Sequence, residues 1–429
     1  MIQTEHGDEK MKDTHKWTSS KITLVVVNCI LCLAIVLGSI IIIIDKSRIS
    51  NSSVFNPNNT VDADSSNVDG DITQQGTKTA RMMCAGDNLI HRSIYAQAKE
   101  RADGDGYDFS YSYSGIKDII ALSDIAFINQ ETIIDPESEP SSYPLFNSPE
   151  ELLDEMIDVG FDVFNQSTNH TMDQKLDGAL NDIELFRSKE NILLTGLYET
   201  REDMLKPQVR EVNGIKISFV GFTEFLNGLV VPKDSDLGLV YLTDTRYTKE
   251  EIYSTMKQMI DNAKSVSDVV CVSMHWQTED ITAPDRSQKE ITAKLLEFGA
   301  DVIIGTGPHV LQPIEFMQNG DGEEAPVIWS LGNIISCQNK KNNMLAGIAD
   351  FTFEKDLATG KTKVSSVQLI PTVTHYNSGF KNVRIIPLAD YNEELASQHG
   401  VESSSFSYSY INEFYADMFG DKLKIDYKN

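Results

Sequence analysis

The chain has 429 residues, and its 64 acidic residues outnumber its 37 lysines and arginines, which gives a formal net charge of −27. This excess of negative charge argues against a nucleic-acid-binding protein, because contact with phosphates needs a basic surface, and it also disfavours wide contact with anionic lipid. The length allows one large domain or two.

A continuous apolar run near the amino end predicts a transmembrane helix. Residues 22–44 are almost entirely apolar and carry no charge, which is long enough for a helix to cross a bilayer. More lysines precede this run than follow it, so we expect residues 1–21 to form a cytoplasmic tail. The expected localisation is the cell membrane, with a single-pass anchor and an extracytoplasmic carboxyl-terminal domain. A buried helix of a soluble protein is the alternative interpretation.

The rest of the chain divides by composition. Residues 45–78 are rich in Ser, Asn, Asp, Thr and Gly, a composition that cannot build a core and predicts a disordered linker. We expect one folded domain over 79–336, and a β-rich extension with a capping tail of the same domain over 337–429. The exported part keeps Cys84, Cys271 and Cys337, an odd number that indicates buried thiols and no disulfide framework.

Strand-like and helix-like patterns alternate through the folded part. Strands are predicted at 80–85, 125–129, 161–164, 192–194, 215–221, 269–274, 302–304 and 327–331. Helices are predicted at 116–122, 149–159, 177–189, 248–265 and 285–298. Further strands follow at 346–353, 363–370 and 383–387, and an amphipathic tail begins at Ile411. This alternation predicts an α/β layered domain.

Polar side chains stand directly after several of these apolar runs. They are Asp87, Glu131, Asn169, His170, His275 and His309. Since open α/β sheets place their chemistry at the carboxyl ends of strands, we expect these residues to gather at one edge. Carboxylate, amide and imidazole together suit Mn²⁺, Fe²⁺ or Zn²⁺. The alternative is that each is a hydrogen-bonded structural residue.

The ordered motifs resemble those of a known family. Gly86-Asp87, Asn129-x-Glu131, Asn169-His170-x-x-Asp173, His275-Trp276-x-x-Glu279, Pro308-His309-Val310-Leu311-Gln312 and Ser330-Leu331-Gly332-Asn333 are similar to the motif series of the CapA family. That family comprises poly-γ-glutamate and capsule synthesis proteins. The resemblance implies a calcineurin-like metallophosphatase fold, a layered α/β/β/α sandwich behind an N-terminal transmembrane helix.

The resemblance also implies residue roles. Asp87 and His309 would bind a first divalent ion, with His91 as a further candidate ligand, and Glu131 would bridge to a second ion held by Asn169 and His275. His170, with Asp173 beside it, would protonate a leaving group or stabilise developing charge. Trp276, Glu279 and Asn333 would contact substrate.

Two positions depart from the family pattern. The family usually has His-Pro-His where this chain has Gly307-Pro308-His309, so one expected imidazole is missing. The usual His-Trp-Gly is His275-Trp276-Gln277 here. Losing a donor lowers metal affinity, so the sequence leaves open whether one ion or two bind.

Two functions follow from the resemblance. The first is a metal-dependent, phosphoesterase-like hydrolase or transferase acting at the outer membrane face on an anionic polymer such as poly-γ-glutamate, or on its precursor. The second is a non-catalytic polymer-binding or export subunit that works with other capsule synthesis subunits.

Overall fold

The computed structural model describes residues 76–427 of the chain. Its strands, in chain order, are β1 (Thr77–Asp87), β2 (Ile125–Asn129), β3 (Val163–Asn165), β4 (Leu193–Thr195), β5 (Gln208–Val212), β6 (Ile215–Thr223), β7 (Val269–His275), β8 (Val302–Thr306), β9 (Leu311–Gln318), β10 (Glu324–Leu331), β11 (Leu345–Asp356), β12 (Thr362–Asn377) and β13 (Lys381–Pro387). Its helices are α1 (Arg92–Arg101), α2 (Ser110–Ile120), α3 (Glu151–Val159), α4 (Lys175–Ser188), α5 (Arg201–Met204), α6 (Lys249–Lys264), α7 (Arg286–Glu297), α8 (Glu393–Gln398) and α9 (Tyr408–Phe419).

Two sheets form the centre of the fold. The first has the strand order β13-β12-β11-β1-β2-β3-β4, and the second has the order β5-β6-β7-β8-β10-β9. Strands β1 to β4 run parallel, and so do β6, β7 and β8. Within each sheet, parallel strands bring their carboxyl ends to one edge. This mixed fold with two sheets confirms the predicted α/β class.

The two sheets share an apolar core. Phe127 of β2 stacks on Phe219 of β6, with ring centroids 6.1 Å apart. Because successive side chains of a strand point to opposite faces, Ile217 and Phe219 join this core while Val220 and Phe222 join a second one. Strand β6 is therefore buried on both of its faces.

Helices complete the layers. On the second sheet, α6 and α7 contribute Met256 and Leu295 to the second core. On the first sheet, α2 and α3 contribute Ile116 and Met156 to the shared core. The layers run helix, sheet, sheet, helix, because both faces of the parallel strands are apolar and each needs a cover.

The carboxyl-terminal part of the chain extends the first sheet. Strand β11 pairs antiparallel with β1, and β12 and β13 continue outward from it. The tail predicted to cap the domain forms α9, which buries Ile411 and Phe419. Between them, the Tyr415 hydroxyl lies 2.8 Å from the carbonyl of Ala346 and 2.6 Å from that of Thr372. The tail is thus fixed to β11 and β12.

Three predicted segments fall at the amino end. The tail 1–21 and the apolar span 22–44 lie outside the described residues, as does most of the linker 45–78. Within residues 76–427, no helix combines the length and apolar character needed to cross a membrane. Cys84, Cys271 and Cys337 are free thiols in this range.

Candidate metal centre

The polar residues predicted to gather do come from the carboxyl ends of strands in both sheets. They are Asp87 from β1, Glu131 from β2, Asn169 and His170 from β3, His275 from β7 and His309 from β8. Every one of them is buried. Side chains separated by more than 200 positions in the sequence therefore meet in one buried polar cluster, whose detailed geometry shows what it can hold.

Glu131 lies at the middle of this cluster. Its carboxylate is buried, and neither oxygen has a hydrogen-bond partner among the described residues. The Nε2 atoms of three imidazoles surround Oε1, at 4.0 Å for His170, 3.9 Å for His275 and 3.7 Å for His309. These separations are too long for hydrogen bonds. Those of His275 and His309 suit donors that share an ion with Glu131, since two ligand atoms about 2.1 Å from one ion lie roughly 3–4 Å apart.

Asp87 and His309 form the most compact part of the cluster. Nδ1 of His309 lies 3.2 Å from Oδ2 of Asp87 and 3.0 Å from Oδ1 of Asn333. Ligand atoms of Asp87, Glu131 and His309 all come within 4.8 Å of one another, and these residues form a group that could hold a metal ion. Because Asn333 is buried behind His309, its geometry favours orienting the imidazole over the predicted contact with substrate.

His275 presents a neutral imidazole. Burial lowers the pKa of His275 to about 3, so the ring is uncharged at neutral pH. Its Nδ1 lies 3.1 Å from the hydroxyl of Thr306, which can accept the Nδ1 hydrogen and leave Nε2 free as a ligand atom. Trp276, predicted to touch substrate, is buried and donates its indole N–H to the carbonyl of Trp329. It therefore packs beneath the site.

His170 is held by its neighbour Asp173. The His170 Nδ1 lies 2.7 Å from Oδ2 of Asp173, and that same oxygen accepts the backbone N–H of Phe146 at 2.7 Å. The Phe146 ring meets the imidazole edge to face, with centroids 4.7 Å apart. With Nδ1 occupied in this way, Nε2 is the atom that faces Glu131. The pair has the arrangement of a proton donor with a carboxylate that orients it.

Asn169 offers its amide oxygen. Its Nδ2 donates to Oδ1 of Asn227 at 3.3 Å, while its own Oδ1 is buried without a hydrogen-bond partner among the described residues. Asn227 also places its amide nitrogen 3.5 Å from Nδ1 of His170. The sequence prediction missed Asn227, which follows β6. Its only local signal is the turn-forming pair Asn227-Gly228, both at positive φ.

Two further amides were not predicted as site residues. Asn165 donates to Oδ1 of Asn129 at 2.7 Å, and Asn129 donates to Oδ1 of Asp87 at 2.9 Å. This buried relay fixes one oxygen of Asp87 and leaves the other beside His309. Asn129 stood in a quoted motif, but nothing local to Asn165 distinguishes it from an ordinary strand residue.

The structure does not bring His91 into the compact group. Its Nδ1 lies 3.1 Å from the Leu89 carbonyl and 3.2 Å from the backbone nitrogen of Cys337. Its ring packs edge to face on Phe146, with centroids 5.4 Å apart. Burial lowers the pKa of His91 to about 4, so it adds no charge at neutral pH. These contacts account for Nδ1 and for the ring, and the ligand role of His91 stays a prediction.

The backbone around Gly307 leaves no room for a side chain at this position. Its φ is +99°, and a Cβ built there would lie 2.4 Å from the backbone oxygen of Trp276. An imidazole therefore cannot occupy position 307 on this backbone, so the departure from the family pattern reflects a different local structure as well as a lost ligand. In its place, the Gly307 N–H donates to Asp87 at 3.1 Å.

The carboxyl groups of the cluster have only histidines as ion-pair partners among the described residues. Among the described residues, no lysine or arginine forms an ion pair with Asp87, Glu131, Asp173 or Glu279. Burial raises the pKa of the Glu131 carboxyl well above its usual range, against the attraction of His309. Burial also lowers the pKa of His309, but attraction by Glu131 and the hydrogen bond to Asp87 outweigh it and raise that pKa to about 10. Without an ion, protonated His309 is thus a cation beside Glu131, and a divalent ion held by these oxygens and imidazoles would take the place of its proton.

Comparisons with known proteins agree with the motif analysis. The model of the family described as bacterial capsule synthesis protein PGA_cap matches residues 81–338, more than half of the chain. The PGA biosynthesis protein CapA of Bacillus subtilis is 29% identical over 213 residues, which cover 49% of this chain and 52% of the relative. The capsule biosynthesis protein CapA of Bacillus anthracis is 27% identical over 190 residues, covering 44% and 43%. The chain thus spans about half the length of the curated relatives it matches.

Solved structures were also matched. A crystal structure described as a novel phosphatase from Mycoplasma pneumoniae aligns with a TM-score of 0.39 and 16% identity, covering 70% of this chain and 95% of that one. The crystal structure of the protein TT1561 of Thermus thermophilus aligns with a TM-score of 0.32 and 7% identity, covering 67% and 99%.

Proposed function

The chain belongs to the PGA_cap family of bacterial capsule synthesis proteins, and from this premise we propose that it is a metal-dependent hydrolase or transferase. The observation that supports this most is the buried Glu131 carboxylate, unpartnered and ringed by three imidazole Nε2 atoms at 3.7–4.0 Å. Burying a carboxylate without a partner is costly, and a bound cation would supply that partner.

The proposed substrate is an anionic polymer of the cell surface, such as poly-γ-glutamate, or its phosphate- or carboxylate-bearing precursor. The names of the two Bacillus relatives, which refer to PGA and capsule biosynthesis, support this choice. The proposed location is the outer face of the cell membrane, with residues 22–44 as a single-pass anchor. Other capsule synthesis subunits are the proposed protein partners.

Each site residue has a distinct part in the proposed chemistry. Asp87, Glu131 and His309 would hold the ion, with Asn169 and His275 close by. When bound, a divalent ion supplies positive charge that polarises the reacting group and acidifies a neighbouring water molecule. The phosphoesterase-like character of the reaction belongs to this proposal.

His170 would deliver a proton to the leaving group. Asp173 accepts the Nδ1 hydrogen at 2.7 Å and fixes the ring so that Nε2 points into the cluster. The Phe146 ring covers one edge of the imidazole and excludes water from that side. A general acid oriented in this way contributes roughly 10²- to 10⁴-fold to a rate.

A non-catalytic polymer-binding role is the second candidate, and Gly307 favours it. The residue removes an imidazole that the family pattern supplies, and its backbone leaves no room for one. A site with fewer donors can hold an ion and an anionic chain without turnover.

One pair of measurements separates the candidates. Metal analysis of the purified full chain in detergent should show a bound transition ion, and bis(p-nitrophenyl) phosphate should be hydrolysed in proportion to metal content. Hydrolysis that survives complete metal removal would contradict the metal-dependent enzyme. Bound metal and bound poly-γ-glutamate without turnover of any phosphoester or polymer would establish the second candidate.

A further inference from the structure

The loop that follows β7 is fastened to the loop that follows β8. The backbone nitrogen of Trp276 donates to the carbonyl of Thr306 at 2.9 Å, and that of Asp280 donates to the carbonyl of Pro308 at 2.9 Å. These two bonds fix the backbone on either side of Glu279. The same loop fills the space beside Gly307, because the backbone oxygen of Trp276 stands where a Cβ would be.

These backbone hydrogen bonds place the Glu279 side chain near the His309 ring. Its Oε1 lies 4.0 Å from Nε2 of His309, and the same nitrogen lies 3.7 Å from Oε1 of Glu131. Neither separation is a hydrogen bond, since both exceed about 3.5 Å. Nδ1 of that ring is already occupied by Asp87 and Asn333, so Nε2 is the nitrogen left to bind a ligand.

Two carboxylates therefore lie near one imidazole nitrogen. The Glu131 side chain is fully buried, whereas the Glu279 side chain is 48% exposed. The inner carboxylate has no hydrogen-bond partner among the residues the structure describes, although it is buried. Both carboxylates therefore lie where a proton on Nε2, or a metal ion in its place, would balance their charge.

We propose that Glu279 is a metal ligand, and that it replaces the imidazole which the backbone at Gly307 excludes. This inference rests on the proposed metal centre and gives the ion a different donor set. Asp87, Glu131 and Glu279 supply oxygens, and His309 supplies a nitrogen. Carboxylate-rich sites suit Mn²⁺, whereas sites richer in imidazole suit Zn²⁺. The exchange of a histidine for a carboxylate thus shifts the site toward harder ions.

A simpler explanation is that Glu279 is one more negative charge near the mouth and attracts any cation weakly. Asp280 provides the matched control, because it is the next residue in the same loop. Its carboxylate forms an ion pair with Lys340 and accepts a hydrogen bond from Asn343 at 3.1 Å, and among the described residues it forms no ion pair with the His309 ring. Both acids add the same charge, but only Glu279 points at the free imidazole nitrogen.

The test is calorimetric titration of the metal-free full chain in detergent with MnCl₂ and with ZnCl₂, which measures the affinity for each ion. Glu279→Gln should weaken Mn²⁺ binding by roughly 10- to 100-fold, the size of losses that follow removal of groups supporting a metal. Asp280→Asn should change it by less than about 2-fold, as expected for a screened surface charge. Glu279→His should raise the ratio of Zn²⁺ to Mn²⁺ affinity. A melting curve for each variant checks that the fold persists.

The outcomes are distinguishable. If the wild-type chain binds neither ion, the metal centre of the proposed function is wrong, and this inference falls with it. If the wild type binds Mn²⁺ but Glu279→Gln binds it equally well, or if Asp280→Asn weakens it as much, Glu279 is no ligand and the metal centre stands without it.

Discussion

The two sheets are built alike at one end and differently at the other. At the amino ends of their parallel strands both use the same device, which we call the aspartate clasp: an aspartate just before one strand exchanges two hydrogen bonds with a residue of the preceding strand. Its carboxylate accepts that residue's N–H, and its own N–H donates to that residue's carbonyl. The clasps are Asp124 with Arg81 and Asp162 with Ala126 in the first sheet, and Asp268 with Lys216 and Asp301 with Val270 in the second.

At the carboxyl ends the sheets supply different chemistry. The first sheet contributes mostly oxygens, from Asp87, Glu131 and Asn169, with His170 as the exception. The second contributes the imidazoles His275 and His309, with the carboxylate Glu279, in the loop after β7, as its exception. The clasps join neighbouring strands and contain no site residue. At the carboxyl ends, by contrast, both Glu131 oxygens and the Asn169 Oδ1 are buried without a hydrogen-bond partner among the described residues. The proposed ion would join the two sheets and complete both sets of donors.

Removing the central oxygen donor should have the largest effect. In Glu131→Gln the buried negative charge is lost, so we expect metal affinity to fall by more than about 100-fold. The metal-free protein should become more stable at neutral pH, because burial raises the pKa of the Glu131 carboxyl, so folding opposes an ionisation that the unfolded chain allows. Metal titration and denaturant unfolding measure the two changes. A stability loss with unchanged metal binding would show that Glu131 serves the fold.

His170→Ala tests the one imidazole that the first sheet contributes. Turnover should fall roughly 10²-fold or more, because the proton donor is lost, while metal content and melting temperature change little. Asp173→Asn should give a smaller loss, since the ring keeps its proton-donating atom but loses its orienting charge. Loss of metal together with fold would make His170 a structural ligand, and unchanged turnover would end its catalytic role.

His275→Gln tests the nitrogen side. We expect metal affinity to fall roughly 10- to 100-fold, since the ring faces Glu131 at 3.9 Å. His375→Gln is the matched control, because His375 is equally buried and bonded to Tyr391 but lies in β12, away from the cluster. Both variants should lose stability, and only the first should lose metal. Equal metal affinity in the two would contradict a division of donors between the sheets.

The smallest expected effect is at the amino ends of the parallel strands, where Asp162→Asn and Asp301→Asn each remove a clasp carboxylate. Burial raises the pKa of both carboxyls to about 6, so folding favours their protonated forms. Between about pH 4 and pH 6 each carboxyl ionises in the unfolded chain but stays protonated in the folded one, so the free energy of unfolding falls as the pH rises through this window and stays lower above it. Relative to wild type, each Asn variant should gain about 1–3 kcal/mol between pH 4 and pH 7.

Urea unfolding of each variant and of wild type at both pH values measures this gain. Asp124→Asn, at an exposed clasp, is the control and should show a smaller pH dependence. A gain that is the same for all three clasps, or that has the opposite sign, would contradict burial as the cause.

The main strands were predictable because parallel strands covered on both faces are continuous apolar runs. Strands β5 and β9 were missed, since β5 is only half-buried and β9 contains Pro313 and several polar residues. The clasps left a trace that was overlooked, an Asp followed by Ile or Val immediately before the apolar run. Each such pair looks ordinary alone, and only the sheet pairing shows that it recurs.

The site was predictable in its strand-end members and unpredictable in the residues that orient them. Asp87, Glu131 and His309 follow apolar runs, so position and residue type suffice to nominate them. Asn227 acts through a partner 58 positions away, a distance that no local pattern spans. The shape of the backbone at Gly307 likewise depends on Trp276, which belongs to a different loop.

X-ray absorption spectroscopy of the Mn²⁺-loaded full chain tests most directly whether an ion joins the two sheets. An ion shared by both sheets should show a first shell of mixed oxygen and nitrogen donors, with the outer-shell scattering of imidazole rings that weakens in His309→Gln and persists in the control His375→Gln. An all-oxygen shell without imidazole scattering, identical in the wild type and both variants, would contradict a shared ion.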